Sequence, residues 1–357
     1  MFADVLVCGG DITNRASQPA FMTGWNKLKQ LRNSLSATEL ISATGNHEIL
    51  SRPPEEAVKA GNSLFTHDPI GWLQELDDYP AVFGGDPERR WTYWGRGYEI
   101  VDTEFATIVV LNSCHYHLTM QEVEFERGKI GTVLLKDLKR QLAKRKNEKK
   151  LRVLLLHHHP VQHPDHDVDG QIDMFNGNKL IEALIETGTE WLVIHGHKHD
   201  PRLIKAQGTV WQPVIFSAGS FGARLSGTLS GKTRNQFYVI DLRSLTDELG
   251  DLRMYATIES YFWSGTEWRT VNEIEQGLPN GCGFGPPVNL SQTAIDIQNH
   301  LKGAAGYMKW DELASLLPEL RRLTPDEISV LKTNLRDKLK IKLGGDSRLW
   351  FPTELST

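Results

Sequence analysis

Four short polar elements carry the chemistry available to this 357-residue sequence: Gly10-Asp11, Gly45-Asn46-His47-Glu48, His157-His158-His159-Pro160 and Gly196-His197-Lys198-His199. Each follows an apolar run: Val5-Leu6-Val7, Leu40-Ile41-Ser42-Ala43, Leu154-Leu155-Leu156 and Leu192-Val193-Ile194. Open α/β sheets bind ligands beyond the C-terminal ends of their strands. Asp11, Asn46, His158 and His197 are separated by 35, 112 and 39 residues, enough for helical crossovers that bring all four back to one rim. The donor types suit a dinuclear transition-metal site. Imidazole nitrogens favour Zn, Fe, Mn or Ni over Ca or Mg. A carboxylate bridges two ions through its two oxygens, and an amide oxygen holds an ion without quenching its charge. Two such ions roughly 3.5–4 Å apart clamp the attacking and leaving oxygens of a phosphoryl group. The glycines before Asp11, Asn46 and His197 permit sharp turns and close backbone approach. Singly, each element is a commonplace turn. Their order, each at a strand end, is what points to metal.

The elements that must position these residues form an alternating series. Asp4–Cys8, Glu39–Ala43, Thr107–Leu111, Arg152–Leu156, Trp191–Ile194, Val214–Phe216 and Phe237–Ile240 read as strands. Lys27–Leu35, Gly131–Lys146 and Lys179–Glu186 read as helices, the second with Val133, Leu134, Leu138 and Leu142 on one face. Apolar strands separated by helices predict an α/β fold with sheets buried on both faces. Met254–Trp263 and Glu267–Val271 flank Ser264-Gly265-Thr266 as a hairpin. A Gly/Pro-rich stretch from Gly277 to Pro287 then marks a boundary. The expected domains are residues 1–275 and a helical module over 288–357, with helices at Gln292–Leu301, Asp311–Leu320 and Pro325–Leu343. The last opens with Thr324-Pro325-Asp326-Glu327, a capping Thr, a Pro at the first helical position and a Glu at the third.

Composition narrows the function. With 40 Lys and Arg against 45 Asp and Glu, the net charge of −5 argues against a globally basic nucleic-acid binder. The basic run Lys136–Lys150 reads as the solvated end of a helix, with a nucleic-acid or partner patch as the alternative. No apolar stretch is long enough for a membrane-spanning helix. The first ten residues lack the basic segment of a signal peptide. Cys8, Cys114 and Cys282 form neither a disulfide framework nor a zinc pair, so a reducing cytoplasm is expected.

The ordered set GD, GNHE, HHP and GHKH resembles the calcineurin-like metallophosphoesterase superfamily over about residues 3–245, including Val109-Val110-Leu111-Asn112-Ser113 and Ser217-Ala218-Gly219-Ser220. The resemblance implies a four-layer α/β/β/α sandwich with a C-terminal helical appendage. It also implies two divalent transition-metal ions (Mn, Fe or Zn) and hydrolysis of a phosphoester, with a phosphodiester favoured. A nuclease of the same superfamily and a non-catalytic scaffold are the alternatives. On this resemblance Asp11 bridges the ions. Asn46, His158 (two residues before Pro160) and His197 hold the second ion, and His199 the first. His47 protonates the leaving oxygen, oriented by Asn14, which stands where related phosphatases carry Asp. The family also has a strand ending in Asp-x-His ahead of the Gly-Asp, an element the residues before Asp11 do not contain. Three readings stay open: a start downstream of that strand or a trimmed chain, a mononuclear or weakly loaded site, and a fold kept for binding.

Other residues cluster around the same rim. His157 and His159 flank a ligand and read mainly as supporting packing. His159, His163 and His115 are candidates for the substrate rim, with His163 and His166 in an Asp-rich loop. Trp91, Tyr93, Trp94 and Tyr98 read as the packing of an edge strand, with base stacking beside Arg89, Arg90 and Arg96 as the alternative. The partners expected are a phosphoester substrate and, through 288–357, another protein or a second copy.

Overall fold

In the computed structural model, which describes residues 2–50, 68–80, 86–117, 127–162, 173–206, 211–225, 227 and 229–357, the first apolar run forms β1, Val5–Cys8. It pairs in parallel with β2, Glu39–Ser42, in the register Val5↔Glu39 to Cys8↔Ser42. The crossover between them is α1, Gln18–Ser34. It begins well before the expected Lys27, because Pro19 opens the first turn and the buried face already runs through Phe21 and Trp25. These two rings sit on one stripe at i and i+4 and meet Tyr79 edge-on at 5.1 and 5.2 Å.

A second sheet carries the later strands in the order β3 (Tyr98–Asp102), β4 (Ala106–Leu111), β5 (Leu151–Leu155) and β6 (Leu192–His195). β3 and β4 are antiparallel, while β4, β5 and β6 are parallel. Those three carry the apolar runs read from the sequence, buried almost throughout. The aromatic run before β3 is a helix, α2, Pro87–Arg96, and not an edge strand. Asp86 caps its start by accepting from Glu88 N and Arg89 N, and Gly97 ends it in left-handed backbone. Tyr93 and Trp94 are buried while Trp91 is exposed, so the pattern has a period of 3.6 residues and not two. α3, Thr132–Lys144, buries Leu134, Leu135, Leu138 and Leu142. Val133 is 80% exposed, because a step of about 100° per residue puts Leu135 and not Val133 on that stripe. The basic end of α3 reads as the solvated face expected: Lys139 pairs with Glu186, Arg140 with Asp137 and Arg145 with Asp102. α4, Gly177–Ile185, leads into β6.

The chain divides into two compact units, residues 1–197 with 208–213, and residues 198–207 with 214–357. The second unit holds β7, Arg202–Lys205, antiparallel to β8, Val214–Ser217. It also holds a long hairpin of β9, Gln236–Thr246, and β10, Leu252–Trp263. β11, Trp268–Thr270, pairs with the end of β10 as the expected hairpin, and β12, Cys282–Phe284, pairs with its middle. The helices α5 (Leu290–Gly303), α6 (Trp310–Leu316) and α7 (Pro325–Thr333) belong to this same unit. The Thr324–Glu327 capping box forms as read. Residues 288–357 are not wholly helical: β13 (Tyr307–Lys309), β14 (Lys342–Gly344) and β15 (Glu354–Ser356) make an antiparallel sheet in the order β13-β15-β14. Strands of three residues are too short to show a period of two. Among the described residues no helix is long and apolar enough to cross a membrane.

Trp25 of α1 is fully buried, and its Nε1 donates to Asp78 Oδ1 at 3.0 Å. Trp25→Ala should lower the unfolding free energy by about 3–5 kcal/mol. Urea denaturation checks this, and a loss below about 1 kcal/mol would mean the site collapses around the missing ring.

Candidate metal centre

The loops after β1 and β2 touch backbone to backbone. Gly10 has φ of 87°, and a Cβ on it would lie 2.8 Å from Gly45 N. A Cβ on Gly45 would fall 2.1 Å from Asp11 Oδ1. Glycine is therefore required at both positions. One buried carboxylate joins the loops: Glu48 accepts from Asp11 N at 2.9 Å, Gly45 N at 2.6 Å and Thr13 N at 3.2 Å. Asp11 (φ 56°) and His197 (φ 77°) are non-glycine residues in the left-handed region, a conformation worth of order 1–3 kcal/mol of strain each. The loops after β5 and β6 are tied by Leu156 N to Ile194 O at 3.1 Å and Gly196 N to His157 O at 3.0 Å.

His157 lies where these loops meet. Its Nδ1 donates to Gly9 O at 2.7 Å, which fixes the tautomer and leaves the lone pair of the neutral ring on Nε2. That nitrogen lies 3.1 Å from Asn46 Oδ1, 3.2 Å from Asp11 Oδ2 and 3.2 Å from His197 Nδ1. Donors bound to one transition-metal ion at about 2.0–2.2 Å stand about 3.0–3.4 Å apart. A carboxylate, an amide oxygen and two imidazoles at these separations fit one divalent transition-metal ion. His158 is buried beside them, its ring 4.5 Å from that of His197. Its Nε2 has no hydrogen-bond partner among the described residues.

The electrostatics follow from burial and proximity. Burial pushes the Glu48 carboxyl above the usual carboxylate range, and the Asp11 charge adds to this. Burial also opposes the Asp11 charge, but His157 and His47 more than offset it and hold that carboxyl low. Burial opposes a charged His157 ring too, yet the Asp11 carboxylate and the Gly9 carbonyl raise its pKa above the ordinary value. Burial and the neighbouring rings, His197 first, hold His158 well below the ordinary imidazole range.

Of the residues singled out from sequence, Asp11, Asn46 and His197 come together. His157, read there as flanking packing, makes the contacts with Asp11 and Asn46 that the proline spacing led one to expect of His158. His158 turns its Nδ1 to Ser113 Oγ at 2.9 Å, and it stays within reach of the cluster: one donor atom of each of His157, His158 and His197 lies within 4.8 Å of the others. His47 stands beside Asp11, its backbone N donating to Asp11 Oδ1 at 2.9 Å. Asn14 is exposed, and no hydrogen bond joins its side chain to His47, because the turn before α1 carries it to the surface. His199 belongs to the second unit, in left-handed backbone with φ of 57°. His159 is buried and stacks on His197 at 5.9 Å. His115 packs edge-on against Tyr116 at 5.0 Å. His163 and His166 lie outside the described residues. Glu48 and Ser113 have structural roles that the sequence reading does not assign. An acidic residue directly after Asn-His at a buried strand end was the available signal for Glu48, since a buried carboxylate must find backbone donors.

Comparison with known proteins bears on this arrangement. A family model described as calcineurin-like phosphoesterase matches residues 3–201. A second, described as wHTH-Calcineurin_assc, matches residues 282–337. No curated protein matches the chain. Among solved structures, the crystal structure of a dimetal phosphatase from Danio rerio aligns at 12% identity over 75% of this chain and 83% of that one. Its TM-score of 0.43 makes the likeness too loose to build on.

Glu48→Gln keeps the shape but turns an amide N–H₂ toward backbone donors. It should cost about 1–3 kcal/mol in metal-free protein. Because the folded state holds the Glu48 carboxyl above its unfolded value, its titration favours folding most at pH below the ordinary Glu value. That contribution is lost as pH rises through the raised one. The wild-type advantage over the Gln variant should therefore shrink with rising pH. Denaturation curves at several pH values check this, and a gap that widens with pH would reverse the assignment.

Proposed function

The chain belongs to the calcineurin-like phosphoesterase family, and from that premise we propose that it hydrolyses a phosphoester with a divalent transition-metal ion held by Asp11, Asn46, His157 and His197. The observation that carries this reading is the set of three donor atoms lying 3.1–3.2 Å from His157 Nε2. Mixed oxygen and nitrogen donors favour manganese, iron or zinc, and manganese is the ion proposed. When bound, such an ion polarises phosphoryl oxygens and supplies a water nucleophile at neutral pH.

The chain's own residues do the rest. Asp11 presents Oδ2 to the cluster while its Oδ1 is held by His47 N, so the carboxylate cannot rotate away. The Gly9 carbonyl holds His157 in the tautomer that offers Nε2. His47, one residue after Asn46, is the group proposed to give a proton to the leaving oxygen. A phosphodiester is the substrate class proposed. A reducing compartment goes with this reading, since Cys8, Cys114 and Cys282 are free thiols.

Purified protein with added Mn²⁺ should hydrolyse bis(p-nitrophenyl) phosphate faster than p-nitrophenyl phosphate. A chelator should abolish turnover and Mn²⁺ should restore it. Asp11→Asn and His157→Ala should each lower kcat/KM by more than about 100-fold, beyond the loss typical of a supporting residue, whereas His158→Ala should stay within about tenfold. The opposite order of the two histidines would return the ligand role to His158. Absence of turnover with every divalent ion tried would leave a fold kept for binding.

A further inference from the structure

His158 also faces a second group of donors, which the phosphoester chemistry does not use. Its Nδ1 lies 3.8 Å from Cys114 Sγ, and its ring stands edge-on to His117 at 5.1 Å. One donor atom from each of Cys114, His117 and His158 lies within 4.8 Å of the others. All three side chains are buried, none more than 1% exposed.

The local fold builds this group. After β4, Asn112 Oδ1 accepts from Cys114 N at 3.1 Å, and His117 N donates to Cys114 O at 2.9 Å. This turn puts the cysteine and the histidine three residues on together. His117 Nε2 donates to Arg127 O at 3.0 Å, which fixes the tautomer with its lone pair on Nδ1. Ser113 Oγ accepts from His158 N at 3.2 Å and holds the next loop alongside. Zinc–sulfur and zinc–nitrogen bonds of about 2.3 and 2.0–2.1 Å at a tetrahedral angle put S and N about 3.6 Å apart, close to the Cys114–His158 separation.

We propose that Cys114, His117 and His158 form a second, buried site for a zinc-class ion, adjoining the Asp11 cluster through His158, since one donor atom of each of His157, His158 and His197 also lies within 4.8 Å of the others. A thiolate with two imidazoles is a donor set for soft or borderline ions, whereas the Asp11 cluster offers two oxygens. Binding breaks the Cys114 S–H bond and the hydrogen bond between Ser113 Oγ and His158 Nδ1, whose lone pair passes to the ion. The thiol proton, now shared with Thr44 O at 3.2 Å, leaves to solvent as the sulfur takes the ion. The ion cross-links the turn after β4 to the turn after β5. The site stands independently of the phosphoesterase reading.

The test uses the full chain, stripped of metal and reloaded with Co²⁺ as the spectroscopic stand-in for zinc. The wild type should show a near-ultraviolet thiolate-to-cobalt charge-transfer band. Cys114→Ser should lose the band and one equivalent of metal by elemental analysis. His197→Ala should keep the band, and so should Cys8→Ser. Should Cys114→Ser fail to fold by circular dichroism, His117→Gln replaces it, with the band again expected to be lost. A wild type without the band, or a band that persists in whichever of these two variants folds, overturns the site. Loss of turnover in His197→Ala with the band intact would separate the fate of this site from that of the Asp11 cluster.

Discussion

A carboxylate with no access to water holds this molecule's polar rim together. Glu48 takes three backbone N–H groups, two from the stretch that begins at Asp11 and one from Gly45. Each donor would be costly to bury alone, and so would the acceptor; joined, they fix two loops that belong to different strands. Everything nearby follows from that clamp. The glycines at 10 and 45 exist because the loops are drawn too close for a Cβ. Asp11 tolerates left-handed backbone because its N–H and its carboxylate are both engaged. His157 completes the arrangement by closing on Gly9 O from the third loop.

Such a rim is rigid by over-determination. Strain at Asp11 and His197 is set against hydrogen bonds and parallel strand pairing that do not depend on either residue's side chain. Donor atoms are therefore presented at fixed separations before any ion arrives. This is what a site needs if the ordering cost is to be met in folding and not in binding.

Much of this was legible in the sequence, for reasons that also explain what was not. The strands are runs of Leu, Ile and Val buried on both faces, and such runs show at once. A polar cluster at the end of each one marks a rim. The assignment between His157 and His158 was not legible. Three consecutive histidines differ only in backbone direction, which the Gly9 carbonyl and Ser113 decide from far along the chain. Asn14 stands exposed, because spacing from Asp11 says nothing about which way a turn points. Trp91, Tyr93 and Trp94 fall in a helix because its N-cap, Asp86, lies outside the aromatic run, while Tyr98, past the closing Gly97, opens the edge strand β3. The three short strands near the C-terminus carry no pattern of their own and are set by pairing across ten or more residues.

The division between the two compact units runs through Gly196-His197-Lys198-His199. His197 is shaped by the parallel sheet of the first unit. His199 begins the segment that leads into β7, whose Lys205 pairs with Glu327 of α7 at 2.7 Å. Glu327 is also the residue that closes the cap on that helix. The second unit is thus not continuous in sequence: residues 208–213 between its two parts belong to the first unit. Residues 198–207 carry one histidine of a motif whose other histidine belongs to the first unit. No single cut in the sequence parts the two units, and the one between residues 197 and 198 separates His197 from His199 within one motif.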